Sequence, residues 1–201
     1  STFATGYLYA GLGYTTAVDA AIPPLAARHT HEEFHDTPML DKAFLILMGN
    51  NYYALKAIAE GEYERARAFA GWLLESSRAY GIKVVNPGGV EAWKAGWNNI
   101  HSLDERVPHL ACTPRMILKG LAQTAMDLGL PHPVHIHCNN LGLPGNAATT
   151  MATMEALEGR RAHLTHIQFH SYGGEVSDQA SFRSEVPVLA DWINAHPEVT
   201  V

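Results

Sequence analysis

A barrel of parallel strands alternating with helices, (β/α) in class, is the architecture this sequence predicts, and three observations predict it. Six short strand-like segments are each followed by helical sequence, except the last, an alternation that requires parallel strands joined by crossovers. Polar residues gather at the carboxyl ends of several different strands, which is how barrel enzymes build their sites. The glycine fingerprint of an open nucleotide-binding sheet is missing, because Gly11–Gly13 precedes a strand instead of following one.

In order, Ala4–Leu12 has a short helical pattern closed by Gly13, and Thr15–Ala20 reads as a strand of small and β-branched residues. Ile22–Pro38 is a polar, proline-containing passage expected to be a loop. Ala43–Met48 is a buried strand ended by Gly49-Asn50. From Tyr52 to Tyr80 apolar residues recur at intervals of three and four, which predicts helix, with Gly61 splitting it in two and Gly81 stopping it. Ile82–Val85 is the next strand, cut short by Asn86-Pro87-Gly88-Gly89. Val90–Leu110, with Trp93 and Trp97, reads as a long loop or short helix. Thr113-Pro114 then opens a helix that runs to Leu128-Gly129, since Thr caps and Pro suits a first turn. Val134–Cys138 is a strand, Gly145–Gly159 a helix and Leu164–Phe169 a strand. A Tyr172-Gly173-Gly174 loop leads to a helix over Phe182–Ala195, and Val199–Val201 begins a sixth strand.

The chain has 201 residues, 47% hydrophobic and 17% charged, with a net charge of −6, enough to bury a core as one domain. That composition excludes a disordered tail, and the acidic balance argues against a nucleic-acid partner. No apolar run approaches the roughly 20 residues a membrane helix needs. Ser1–Gly6 does not read as a signal peptide, and two cysteines, Cys112 and Cys138, make no disulfide scaffold, so the expected setting is a reducing, cytoplasmic one. A full barrel needs eight strands and about 250 residues. Six strands make this a partial one.

Twelve histidines stand out, and most fall in clusters. His29-x-His31 looks like a metal pair, but with no strand pattern beneath it the segment reads as a polar loop bridging the site rim. Lys83 interrupts a short apolar strand. A bare ammonium is costly to bury, so it is either paired, exposed or chemically altered. At a barrel mouth its amine could react with CO2 to give a carbamate whose two oxygens bridge two metal ions. Period two puts His135 and His137 on one strand face, and His166, Gln168 and His170 on one face of the next, with His163 opposite. Imidazole is the commonest zinc ligand, so two neighbouring strands ending this way point to metal ligation. Cys138 points away from His137 and reads as packed. A Ser/His/Asp site has no support, since no Gly-x-Ser-x-Gly elbow occurs.

Three of these segments, Gly13–Pro38, Ile82–Gly89 and Thr165–Gly173, resemble the A subunits of formylmethanofuran dehydrogenase and of the bacterial formyltransferase/hydrolase complex, members of the amidohydrolase superfamily. The resemblance implies a TIM-like amidohydrolase barrel with two zinc ions, a carboxylated lysine on the fourth strand and one histidine each on the fifth and sixth. By strand order Lys83 is the lysine, His137 the fifth-strand ligand and His166 the sixth-strand ligand, with His135 and His170 as their rivals. The six strands become strands two to seven, so the first-strand His-x-His and the last-strand Asp, the expected general base, fall outside these 201 residues.

The implied activity interconverts an N-formyl amine on a methanofuran-type carrier with free amine and formate, within a formyl-dehydrogenase or formyl-transfer complex. Asn86, Asn139, Asn140 and Tyr172 are candidates for orienting the carrier or the ligands. The competing reading is a catalytically inert scaffold that docks partner subunits, or self-associates through the unpaired edges of strands two and seven. An unrelated metal-free aldolase-like barrel fits the architecture but leaves the histidine pairs unexplained.

Overall fold

The computed structural model describes residues 2–97 and 99–201; Ser1, and Asn98 within the Val90–Leu110 segment, lie outside the described residues. One parallel sheet organises the chain. Its strands are β1 (Thr16–Ile22), β2 (Asp41–Leu47), β3 (Gly81–Val85), β4 (Val134–His137), β5 (Ala162–Leu164) and β8 (Val199–Thr200), hydrogen-bonded in that order. Every pairing in it is parallel, so the six strands form a partial (β/α) barrel with β1 and β8 at its edges. Two further strands, β6 (Tyr172–Glu175) and β7 (Asp178–Ser184), make a separate antiparallel hairpin.

The helices are α1 (Thr2–Gly11), α2 (Ala27–Asp36), α3 (Tyr52–Ala59), α4 (Tyr63–Ser77), α5 (Gly89–Lys94), α6 (Pro114–Asp127), α7 (Asn146–Ala156) and α8 (Val186–Asn194). Local chemistry sets several of their ends. The side chain of Asn51 accepts from the Ala54 N–H to cap α3, and Thr113 does the same for Met116 at the start of α6. Helix α4 stops where Arg78 turns left-handed, at φ 55°.

Alternation divides each central strand. Ile82 and Val84, Val134 and Ile136, Ala162 and Leu164 are fully buried in one hydrophobic cluster with Ile117, Leu118 and Leu121 of α6. The intervening positions, Lys83, His135, His137 and His163, face the other way. The apolar side holds the sheet on its helices, and the polar side is left for chemistry.

Three expectations are corrected. Ile22–Pro38 is no loop: Pro24–Ala26 forms a 3-10 turn that runs into α2. Pro24 opens that turn rather than breaking it, Thr30 bonds back to the Ala26 carbonyl, and Arg28 pairs with Glu32 one turn on. Its apolar contacts are few, with Phe34 against Phe44 at 6.1 Å between rings, so the sequence shows no stripe there. The strand expected over Leu164–Phe169 stops at Leu164, and Ile167–Phe169 is a 3-10 turn. The third concerns Tyr172–Gly174 and the start of the helix expected at Phe182: both lie in the hairpin, and α8 begins only at Val186, before Pro187. The glycine pair marks close strand approach, because a Cβ on Gly174 would lie 2.5 Å from the Ser181 carbonyl oxygen.

A close approach also anchors the strand that carries Lys83. Gly49, just after β2, bonds to the Lys83 carbonyl, and a Cβ there would lie 2.8 Å from the Val84 Cγ1 and 2.9 Å from its Cα. Gly49→Ala is therefore expected to cost about 2 kcal/mol through overpacking, read as a lower urea midpoint. No helix among the described residues is long and apolar enough to cross a membrane.

Candidate functional site

Register builds the site. Leu47, Lys83, His135, His163 and Thr200 are successive partners across β2, β3, β4, β5 and β8, and aligned residues on parallel strands point to the same side. His163 therefore shares the face of His135, whereas counting along an overlong strand sets it apart from its neighbours.

Lys83 is 2% exposed, and among the described residues no carboxylate pairs with it. Its Nζ donates to His135 Nδ1 at 2.6 Å, which places the ring proton of His135 on Nε2. His135 in turn lies 4.8 Å from His163 and 5.7 Å from His132, ring centre to ring centre. His163 Nδ1 meets the Thr200 hydroxyl at 2.9 Å.

One layer nearer the carboxyl ends of the strands, His137 stands between two more imidazoles. Its ring centre is 5.1 Å from that of His166 and 5.2 Å from that of His170. Neither of these two sits on a strand. His166 takes a left-handed conformation, φ 56°, at the start of the 3-10 turn, and His170 follows its end, so turn geometry brings them to His137. Gln168, expected on their face, is exposed within that turn. His166 is exposed too, whereas His170 is fully buried, and among the described residues neither of its ring nitrogens makes a full hydrogen bond, the Asn139 backbone offering only a weak one. Leaving a buried polar atom unsatisfied costs about 1–3 kcal/mol. The imidazole of His170 is thus a ligand-ready donor.

Burial sets the charge state of the cluster. It lowers the Lys83 amine to about 8, with little opposition. His135 falls to about 3, and His137 and His170 to about 4, through burial first. Neighbouring imidazoles and the Lys83 charge add to the depression of all three; burial, His132 and Lys83 lower His163, and burial and Lys83 lower His166. Neutral imidazoles keep the lone pairs that a metal requires. Among the described residues no three His, Cys, Asp or Glu side chains are arranged to hold an ion by themselves. The donor set still suits a divalent ion: neutral imidazoles around His137, His170 among them and fully buried, and a buried lysine with no carboxylate partner among the described residues.

The asparagines behave differently from one another. Asn139 donates to the Pro87 carbonyl at 3.0 Å, and Asn140 clasps Ile100 through both its N–H and its carbonyl, so these two staple loops together. Asn86 is left-handed, at φ 43°, and its buried side-chain oxygen has no hydrogen-bond partner among the described residues. All three line a cleft of about 530 Å3 together with Trp93, Leu141 and Leu143. Tyr172 lies elsewhere, against Phe182 at 4.9 Å, beside a second cleft with Arg183 and Glu185. Cys138 is buried, and the desolvation pushes its thiol up to about 12.

His29 and His31 are on α2 and take no part in the cluster. His31 Nε2 donates to the Ser77 carbonyl at 2.8 Å, at the end of α4 that feeds the start of β3. That is the far end of the sheet from Asn139, so the segment does not bridge the site rim. Sequence reasoning also missed Asn146, whose buried amide bonds the Asn140 and Phe169 carbonyls and accepts from the Tyr172 N–H. An asparagine at the first position of a helix is its only signal.

Comparisons with known proteins bear on the chain as a whole. A family model described as the amidohydrolase family matches residues 1–201. The chain is 47% identical over 213 residues to protein FwdA of Methanocaldococcus jannaschii, covering 100% of this chain and 37% of that protein. It is 41% identical over 199 residues to the A subunit of the formyltransferase/hydrolase complex Fhc of Methylorubrum extorquens, covering 97% of this chain and 36% of that protein. The X-ray crystal structure of the M. extorquens complex, FhcABCD with methylofuran, contains a chain that superposes with a TM-score of 0.92 at 41% identity, covering 100% of this chain and 36% of that one. The chain thus spans little more than a third of the length of the relatives it matches.

Proposed function

The chain belongs to the amidohydrolase family, and on that premise we propose that it supplies the lysine and histidine part of a metal-dependent formyl-amide hydrolase. The reaction interconverts a formylated, methanofuran-type amine carrier with the free amine and formate. Partner subunits of a formyl-dehydrogenase or formyl-transfer assembly are part of the proposal, as is its single partial-barrel domain, with barrel strands beyond these residues. The observation that carries it is Lys83, buried without a carboxylate and surrounded by neutral imidazoles.

Lys83 as a carbamate, with His137 and His166, would hold two zinc ions. His170 is the further nitrogen donor on the other side of His137. His135 is set aside as a ligand because its Nδ1 is already engaged by Lys83. When bound, such ions supply Lewis-acid stabilisation of charge developing on a carbonyl oxygen. The remaining work falls to the chain itself. Asn139 and Asn140 brace the loops above β3 and β4, which fixes the wall of the 530 Å3 cleft. Trp93 and Leu141 give that wall an apolar surface against which a flat carrier group can rest.

The complete gene product, purified with its partner subunits, is expected to carry about two zinc per chain and to release formate from a formylated amine carrier, with activity lost to a chelator and restored by zinc. An inert scaffold would return no metal and no formate.

A further inference from the structure

The contact between Lys83 and His135 has no part in metal ligation as assigned above, yet it is the closest polar contact of the buried amine. His135 sits in the layer below His137, 8% exposed, paired in register with Lys83 itself. Its other ring neighbours are His163 and His132, at 4.8 and 5.7 Å. We infer that His135 is a positioning residue for the modified lysine: its Nδ1 accepts the single N–H that the Lys83 nitrogen keeps after CO2 has added to it.

The chemistry balances simply. The neutral amine attacks the carbon of CO2, a nitrogen–carbon bond forms, and one carbon–oxygen π pair moves onto oxygen. The nitrogen then gives one proton to water and retains the other, with no change of oxidation state. A carbamate is planar, and its nitrogen lone pair is delocalised, so that nitrogen can donate but not accept. An N–H aimed at His135 Nδ1 fixes the plane of the group and turns its two oxygens away from the His135 layer. A leucine here would orphan the N–H. A carboxylate would hold the lysine as an ammonium by ion pairing, without the lone pair that attacks CO2. A neutral imidazole with its free nitrogen 2.6 Å from Nζ avoids both outcomes.

This inference rests on the carbamate reading of Lys83, and the test separates the two. The complete gene product, with its partner subunits and zinc, is titrated with carbon-13 bicarbonate, and the carbamate carbon is read by NMR. His135→Leu is expected to raise the bicarbonate needed for half-occupancy about tenfold or more, the cost of leaving that buried N–H without an acceptor. His135→Asn, whose side-chain oxygen takes the place of Nδ1, is expected to stay within about threefold of the parent. If the leucine variant does not fold, His135→Gln, with its acceptor displaced by one bond, is expected to fall well behind His135→Asn. A parent protein with no carbamate at saturation overturns the lysine reading and this inference together. A carbamate in the parent and an unchanged titration in the leucine variant, or equal titrations of the asparagine and glutamine variants, overturn this inference alone.

Discussion

Replacing Lys83 by methionine is expected to remove metal binding and cut formate release by about a thousandfold or more, while making the metal-free protein more stable. The two effects have one cause. Folding buries the amine with no carboxylate beside it and lowers it from 10.5 to about 8, so at neutral pH the fold carries an ammonium that prefers water. The sign follows from linkage: the unfolded chain holds that proton more tightly, so stability falls as pH drops from 10.5 towards 8 and stays reduced below. At pH 7 the penalty is about 3 kcal/mol. Methionine of similar length removes it. Urea unfolding in the presence of chelator reads the gain, and metal analysis with a formate assay reads the loss. A lysine that snorkelled to solvent would show neither the gain nor the metal loss, and one that merely packed would show the gain without the metal loss. A small carboxylic acid added to Lys83→Ala is expected to restore part of the activity by occupying the vacated space.

Much of this arrangement is legible in the letters, and the reasons differ by element. Strands β2, β3 and β4 are short apolar runs closed by Gly49-Asn50, Asn86-Pro87 and Asn139-Asn140, where hydrophobic burial and turn chemistry agree. Lys83 is conspicuous because it breaks such a run. His135 and His137 follow from period two on a strand that does exist. Period two fails for His166 and His170, since β5 ends at Leu164, and a left-handed residue with a 3-10 turn brings them to His137 instead. Nothing local in Thr165–His170 announces where the ladder stops; the limit is set by pairing with β4 and β8. The row from Lys83 through His135 to His163 is likewise a property of register between strands, visible only once neighbours are aligned. Helix α2 escapes for the opposite reason. Its stabilising contacts are ion pairs and one aromatic cluster on Phe44, not a stripe of apolar residues.

Acid is expected to unfold the metal-free protein over a window set by these histidines. Free imidazole takes its proton near 6.5, but burial holds His137 and His170 at about 4 and His135 at about 3. As pH falls below 6.5 the unfolded chain binds protons that the folded chain refuses, so stability present above pH 6.5 is lost progressively towards pH 4. The three groups share one repulsive neighbourhood, so their effects do not simply add. A combined loss on the order of 5 kcal/mol is expected, comparable to the whole stability of a typical domain. Lys83 contributes nothing to this limb directly, because its own cost is complete by pH 8, but its positive charge lowers all three imidazoles. Lys83→Met is therefore expected to raise the curve below pH 8 and make its acid limb shallower. His170→Leu should also flatten the limb, since it deletes a base that burial holds at about 4. Urea midpoints in chelator from pH 8 to pH 4 measure all three curves. A parent curve that stays level between pH 6.5 and pH 4.5 would mean these rings are solvated, and the polar interior inferred from Lys83 and its neighbours would go with it.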